Sequence, residues 1–432
     1  MTDWIASACG PLRGRLRVPG DKSISHRAIM FAALADGTSR IEGFLEGEDT
    51  RATAAMFATM GVRIEAPADG VRIVHGVGID GLQAPDRPLD CGNAGTAMRL
   101  MCGLLAGQRF ETTLVGDASL STRPMRRVIE PLARMGARID SDDGHAPLAV
   151  HPTALEGIDI RTAVASAQVK SALLLAGLQA RGETTVREDP PTRDYTERML
   201  SAFGVRLEFE PGIATVRGGQ RLRATDVQVP ADFSSAAFFI VAASIVPGSD
   251  VVLERVGVNP RRTGLLDVLR AMGADIELTD AGTHGGEPVA DLRVRHAPLR
   301  GIEVPGAHVA DMIDEFPALF VAAACARGRT VVRDAAELRV KESDRIATMA
   351  QGLRTLGIEV EETPDGATIH GGTLQAGHVD SHTDHRIAMA FAVAGQRASG
   401  DVRIARVDNV ATSFPGFDRL AVSSGMQLRE TR

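Results

Sequence analysis

At 432 residues, with 44% hydrophobic and 24% charged side chains, the chain can bury two or more full cores and is too apolar for a disordered protein. Its formal net charge of −7 excludes a general nucleic-acid surface, so any anion must be captured by a local cluster of cations. The opening MTDWIASACGPLRG lacks a leader pattern and no apolar run reaches the ~18 residues that span a bilayer, so a cytoplasmic protein with no membrane contact is expected.

In chain order, the first apolar helix pattern opens on DKSISHR (21–27) and gives way to a β-branched strand pattern near Gly37. The second opens on GNAGT (92–96), ends near Gly107, and is followed by the basic string STRPMRR (121–127). SAQVK (166–170) opens the third, whose apolar stretch over 171–180 ends before Gly182. A fourth, almost wholly apolar, follows Val229 and ends near Gly248. IDEF (313–316) opens the fifth, which runs to Gly328 and is followed by LRVKESDR (338–345). TDHR (383–386) opens the sixth, apolar over 387–394 and followed by Gly400.

The six junction glycines are 70, 75, 66, 80 and 72 residues apart, a period of large internal repeats. A second series, Gly61, Gly136, Gly204, Gly273, Gly357 and Gly425, runs in phase and closes amphipathic helix patterns such as 259–272 and 342–356. Each module therefore reads as buried helix, strand, exposed helix and further strands, with glycine expected in a left-handed cap at the helix ends. The string VPGDKSISHRAIMFAALADGTSRIEG from Val18 matches VPADFSSAAFFIVAASIVPGSDVVLE from Val229, which puts a division near Pro230 with three modules on each side.

Helix N-termini carry exposed N–H groups and the positive end of the dipole, so polar strings at the starts of buried helices are candidate anion sites. Lys341 and Arg345 would share a face of a helix over 342–356, with Glu342 between them. Asp314, among Met312, Ile313 and Phe316, would need a cationic partner or a proton-transfer role. Of the 48 basic residues only Lys22, Lys170 and Lys341 are lysines, and in so Arg-rich a chain a retained ammonium points to chemistry that a guanidinium cannot do. Cys9, Cys91, Cys102 and Cys325 have no metal spacing and read as buried thiols. No metal and no cofactor are expected: there is no H-E-x-x-H, no Walker A string and no dinucleotide fingerprint, and His382 with His385 reads as local structure.

PGDKSISHRA, GNAGTAMR, RPMRRV, SAQVKSALLLAGL, LRVKESDRI, DHRIAMAF and ATSFPGF, in this order over essentially the whole chain, resemble the 3-phosphoshikimate 1-carboxyvinyltransferase family. The resemblance implies an α/β fold of two inside-out α/β barrel domains, each of three βαβαββ repeats. One domain would hold 1–19 and 230–432, the other 20–229, with the active site in the cleft between them and closure on the substrates. It implies transfer of the enolpyruvyl group of phosphoenolpyruvate to the 5-hydroxyl of shikimate 3-phosphate, on the route to chorismate and aromatic amino acids, through a tetrahedral intermediate.

Carried over by motif, shikimate 3-phosphate falls on Lys22, Ser23, Arg27, Ser166, Gln168, Arg193, Asp314 and Lys341, and phosphoenolpyruvate on Lys22, Gly95, Arg123, Gln168, Arg345 and Arg386. Asp314, Glu342 and Lys22 would carry the proton transfers. The string SAQ in place of a double Ser, Glu337 in place of an Asn and Thr412 in place of a Lys look like the family's second class, in which Arg193 would help hold the phosphate. Gly95 in place of the Ala of glyphosate-tolerant members implies sensitivity to that inhibitor. A sibling that transfers enolpyruvyl to UDP-N-acetylglucosamine uses a Cys near STRPMRR, where this chain has none. The other alternative is a non-catalytic anion-binding protein on the same fold. A monomer acting on small molecules alone is expected.

Overall fold

The computed structural model describes residues 2–284 and 286–431. Each module supplies one helix buried along nearly its whole length: α1 (Lys22–Leu34), α2 (Gly95–Ala106), α3 (Ala167–Gly177), α4 (Phe233–Ile245), α5 (Phe316–Ala324) and α6 (His385–Gly395). They lack a polar face because they lie inside, where Ala, Leu, Met and Phe remove apolar surface from water on every side. Small residues allow close approach: a Cβ on Gly103 of α2 would lie 1.9 Å from the Ala172 carbonyl oxygen of α3. Two hydrophobic cores result, one around α1–α3 and one around α4–α6.

Helices with one exposed face follow: Glu48–Thr59, Arg126–Arg134, Tyr195–Ala202, Gly264–Ala271, Arg345–Thr355 and Phe417–Ser423. All six end alike. In the first, Gly61 at φ +89° donates its N–H to Ala58 O, and Val62 donates to Phe57 O, the paired bonds of a left-handed helix cap. The same pair recurs at Gly136, Gly204, Gly273, Gly357 and Gly425. The first glycine series is mixed: Gly182, Gly248 and Gly328 are left-handed at φ +86°, +74° and +87°, but two members correct the sequence expectation. Gly107 ends α2 at φ −96°, and Gly37 lies inside a strand that begins as soon as α1 stops.

Two exposed helices are shorter than their sequence patterns. The helix expected over 342–356 starts at Arg345, because Asp344 caps it by accepting from Ala347 N at 3.0 Å. Lys341 is extended, so it does not share a helix face with Arg345. The pattern over 259–272 forms Gly264–Ala271, after a turn in which Asn259 accepts from Arg261 N at 2.9 Å. The buried pattern at 171–180 is likewise displaced, to Ala167–Gly177.

The sheets repeat one order: an edge strand parallel to the first strand of the module, which is antiparallel to the last, which is antiparallel to the middle one. Leu89–Asp90, Thr112–Val115, His145–His151 and Arg138–Asp142 make one such sheet. Asp159–Arg161, Glu183–Arg187, Ile213–Arg217 and Leu207–Glu210 make the next. Leu222–Arg223 and Val227–Gln228 then pair back onto Ala35–Glu42, closing three modules into a ring of connections. In the other half, Asp3–Ser7 supplies the missing last strand between Val402–Ala405 and Gln427–Thr431. Arg13–Leu16 adds the parallel edge to Asp250–Gly257. The start of the chain therefore folds with its end. One compact unit comprises the segment up to Pro19, Pro230–Gly282 and the chain from Pro288 onward; the other comprises Gly20–Val229 with Thr283–Glu287. Among the described residues no helix is long and apolar enough to cross a membrane.

Candidate active-site residues

In the unit built on α1–α3, the three helix N-termini carry the polar motifs. Asp21 caps α1 through Ile24 N at 2.8 Å and accepts from the Tyr195 hydroxyl at 3.1 Å. Lys22, the first residue of α1, forms an ion pair with the buried Asp49. Ser23 follows, and its carbonyl accepts from Arg27 Nη1 at 3.0 Å. The buried Arg27 also donates to Thr196 Oγ1 at 2.7 Å and Ser171 Oγ at 2.9 Å. Burial, and then the charge of Arg193, pull the Arg27 guanidinium down to about 10. Two guanidinium groups close enough to oppose each other's charge favour the approach of an anion.

Gly95 starts α2, with Arg123 beside it: a Cβ at Gly95 would be 3.1 Å from Arg123 Nη1 and 3.3 Å from Arg99 Nη1. Arg123 is aimed by Asn93, whose Oδ1 accepts from Nη2 at 2.7 Å. Ser166 precedes α3 as its N-cap residue without a side-chain capping bond. Gln168 is held at both ends, accepting from Arg99 at 2.6 Å and donating to Thr96 at 2.8 Å.

In the other unit, one guanidinium organises three carboxylates. Arg345, only 2% exposed, donates to Asp384 at 2.9 Å and to Glu342 at 2.5 Å, and its Nη1 lies 3.6 Å from Asp314. Burial opposes its charge, yet Asp384, Glu342 and Asp314 together raise Arg345 above its ordinary value. Lys341 Nζ lies 3.6 Å from the same Asp314 oxygen, so Asp314 does have cationic partners. Burial holds Lys341 below the usual lysine range despite that carboxylate. Arg386, in the first turn of α6, donates to the Asp314 carbonyl at 3.1 Å. The arrangement supplies a carboxylate and an ammonium in contact, with guanidinium donors around them, which suits proton transfer beside an oxyanion.

Several supporting residues escaped the sequence reading. Arg99 stood inside GNAGTAMR, four residues after Gly95, and that spacing could have placed it on the same helix face. Glu315 and Asp384 lay inside quoted motifs. Asp384 caps α6 and receives Arg345, while the fully buried Glu315 binds Arg262 at 2.7 and 2.8 Å. Asp49, Thr196 and Arg262 sit on neighbouring elements where no local pattern marks them. Lys170 is buried between Glu188 and Glu197. In ATSFPGF, Phe414 and Phe417 are core residues, and Thr412 donates to Asn409 O at 2.7 Å. Cys91 and Cys102 are buried, whereas Cys9 and Cys325 are half-buried, and burial pushes Cys102 and Cys325 up to about 12. Among the described residues, Glu359, Glu361 and His370 form the one grouping with metal-ligand geometry; both glutamates are exposed.

The EPSP synthase (3-phosphoshikimate 1-carboxyvinyltransferase) family profile matches residues 7–420. The chain is 71% identical over 427 residues to the 3-phosphoshikimate 1-carboxyvinyltransferase of Xanthomonas campestris pv. campestris (strain B100), covering 98% of each chain. It is 70% identical to that of Xanthomonas euvesicatoria pv. vesicatoria (strain 85-10), covering 98% of this chain and 97% of the relative. Its fold matches the solved EPSP synthase of Acinetobacter baumannii with a TM-score of 0.90, 49% identity and full coverage of both chains. The enolpyruvyl transferase NikO from Streptomyces tendae, 19% identical with a TM-score of 0.82 over 100% of this chain and 99% of its own, shares the fold. With its repeated α/β modules and charged helix N-termini, the chain belongs to the EPSP synthase (3-phosphoshikimate 1-carboxyvinyltransferase) family.

Proposed function

We propose that the residues gathered in the two units serve one pair of substrates. The activity is that of the family: the enolpyruvyl group of phosphoenolpyruvate is transferred to the 5-hydroxyl of shikimate 3-phosphate and phosphate is released, a step toward chorismate and the aromatic amino acids. The observation that carries the residue assignment is Asp314, flanked at 3.6 Å by both Lys341 and Arg345 and held through its carbonyl by Arg386.

In this reading, shikimate 3-phosphate binds Lys22, Ser23, Arg27, Ser166, Gln168, Arg193, Asp314 and Lys341. Its phosphate relieves the repulsion between Arg27 and Arg193. Phosphoenolpyruvate binds Lys22, Gly95, Arg123, Gln168, Arg345 and Arg386. Gln168 can serve both, since an amide oxygen accepts twice and an amide nitrogen donates twice, leaving capacity beyond Arg99 and Thr96. Asp314 takes the proton of the 5-hydroxyl as its oxygen bonds to C2 of phosphoenolpyruvate, and C3 gains a proton. The tetrahedral adduct then loses a C3 proton and expels phosphate, with Glu342 and Lys22 moving these protons. The assigned residues all come from one chain, and we propose that it acts as a monomer.

The test is phosphate release from phosphoenolpyruvate, measured with shikimate 3-phosphate and separately with UDP-N-acetylglucosamine. Release with the first alone is expected; release only with the second, or with neither, overturns the reading. Gly95 gives a finer check through glyphosate. The parent chain is expected to be inhibited well below millimolar concentration. In Gly95→Ala the added methyl crowds Arg123 and Arg99, and the inhibition constant should rise by about tenfold or more, the discrimination one methyl can supply. An unchanged constant contradicts the placing of phosphoenolpyruvate at Gly95.

A further inference from the structure

Lys170 is the one lysine of three that the proposed chemistry does not use. Its side chain is 4% exposed, and its Nζ lies 2.7 Å from Glu188 Oε1 and 2.8 Å from Glu197 Oε1, whose side chains are 0% and 3% exposed. Glu188 directly follows the strand Glu183–Arg187 and closes the loop after it, accepting from Thr192 N at 2.7 Å and from Thr192 Oγ1 at 2.8 Å. Lys170 Nζ also reaches Thr192 O at 3.5 Å. Each partner adjoins the cation pair: Thr192 precedes Arg193, Glu197 follows Thr196, and Lys170 precedes Ser171. Thr196 and Ser171 are the two hydroxyls that receive Arg27, and they bond each other at 2.7 Å.

We propose that Lys170 is a positioning residue for the phosphate of shikimate 3-phosphate, fastening the Arg193 loop and the Thr196 turn to α3 so that Arg27 and Arg193 face one phosphate. This rests on the reading that those two arginines take that group. A lysine suits the task because an ammonium directs three N–H donors to three acceptors, Glu188 and Thr192 O on the loop and Glu197 on the helix after it, which a planar guanidinium fork cannot do. Stability alone does not require an ionic cluster here, since packed apolar side chains of similar volume often do as well. What the cluster adds is orientation. Lys170 touches no substrate; its effect passes through Thr192, Ser171 and Thr196.

The experiment measures melting temperature, kcat and both KM values for Lys170→Met, Glu188→Gln and Arg27→Gln. Lys170→Met is expected to raise KM for shikimate 3-phosphate by about tenfold or more, with kcat and KM for phosphoenolpyruvate within about twofold of the parent. A folded variant with both KM values unchanged, or with both raised together, overturns the proposal, because a general structural defect would not select one substrate. If Lys170→Met does not fold, Glu188→Gln decides. It keeps the Lys170–Glu197 pair and loosens only the Arg193 loop, so a rise of about threefold for shikimate 3-phosphate alone supports the proposal, and no selective rise overturns it. Arg27→Gln separates the two levels. If it leaves KM for shikimate 3-phosphate unchanged, the underlying reading fails; if it raises that KM while Lys170→Met and Glu188→Gln do not, only the proposal fails.

Discussion

Asp314→Asn is expected to lower kcat by about a thousandfold while both substrates still bind within about tenfold of the parent affinity. The substitution keeps the shape of the side chain and one hydrogen-bonding oxygen, but removes the carboxylate proposed to accept the hydroxyl proton. It should fold, because Arg345 retains Glu342 and Asp384 and loses only a 3.6 Å contact. Arg386 binds the Asp314 main-chain carbonyl rather than its side chain, so its position is untouched. Calorimetric titration with shikimate 3-phosphate and a steady-state assay check both halves of the expectation. A kcat within about tenfold of the parent removes Asp314 as the base, since positioned acid–base groups contribute about a hundredfold or more.

Arg345→Met should fail more broadly. It leaves Asp384 fully buried with its principal cation gone, and breaking one side of such a pair costs about 3–5 kcal/mol. In a unit of this size that is a drop in melting temperature of about 10 °C. Turnover should be lost as well, because Glu342 and Asp314 both depend on that guanidinium for orientation. A thermal scan and a turnover assay test this jointly. The double variant Arg345→Met with Asp384→Asn removes the orphaned charge, and it should recover much of the stability without recovering turnover. Recovery of both would mean that Arg345 is a structural residue alone.

Local patterns revealed most of the architecture because each module repeats the same physical instructions. An unbroken apolar stretch of about ten residues is longer than most strands and points to an interior helix, and a glycine after an amphipathic stretch is the cheapest left-handed cap, so Gly61 and its five counterparts were legible as helix ends. Helix starts were harder. Glu342 is a good helix former, but Ser343 is not and the strong cap at Asp344 took precedence, putting Lys341 outside the helix. The candidate residues stood out where charge met an apolar context, as at Asp314, or where lysine broke an arginine habit. Residues recognised only by what they touch across space stayed hidden. Nothing near Asp49, Thr196 or Arg262 in the chain marks them as partners of Lys22, Arg27 and Glu315. Lys170 carried the same signal as Lys22 and Lys341 but ended between two buried glutamates, because rarity marks an unusual ammonium without saying what it binds.

The proposal that Arg27 and Lys341 both bind shikimate 3-phosphate is tested most directly by the affinity of that substrate for Arg27→Gln and for Lys341→Gln, measured by calorimetry without phosphoenolpyruvate. The account predicts that each variant alone weakens binding by about tenfold or more, because each removes a charge-assisted contact to the same molecule. Full affinity in either folded variant would contradict it.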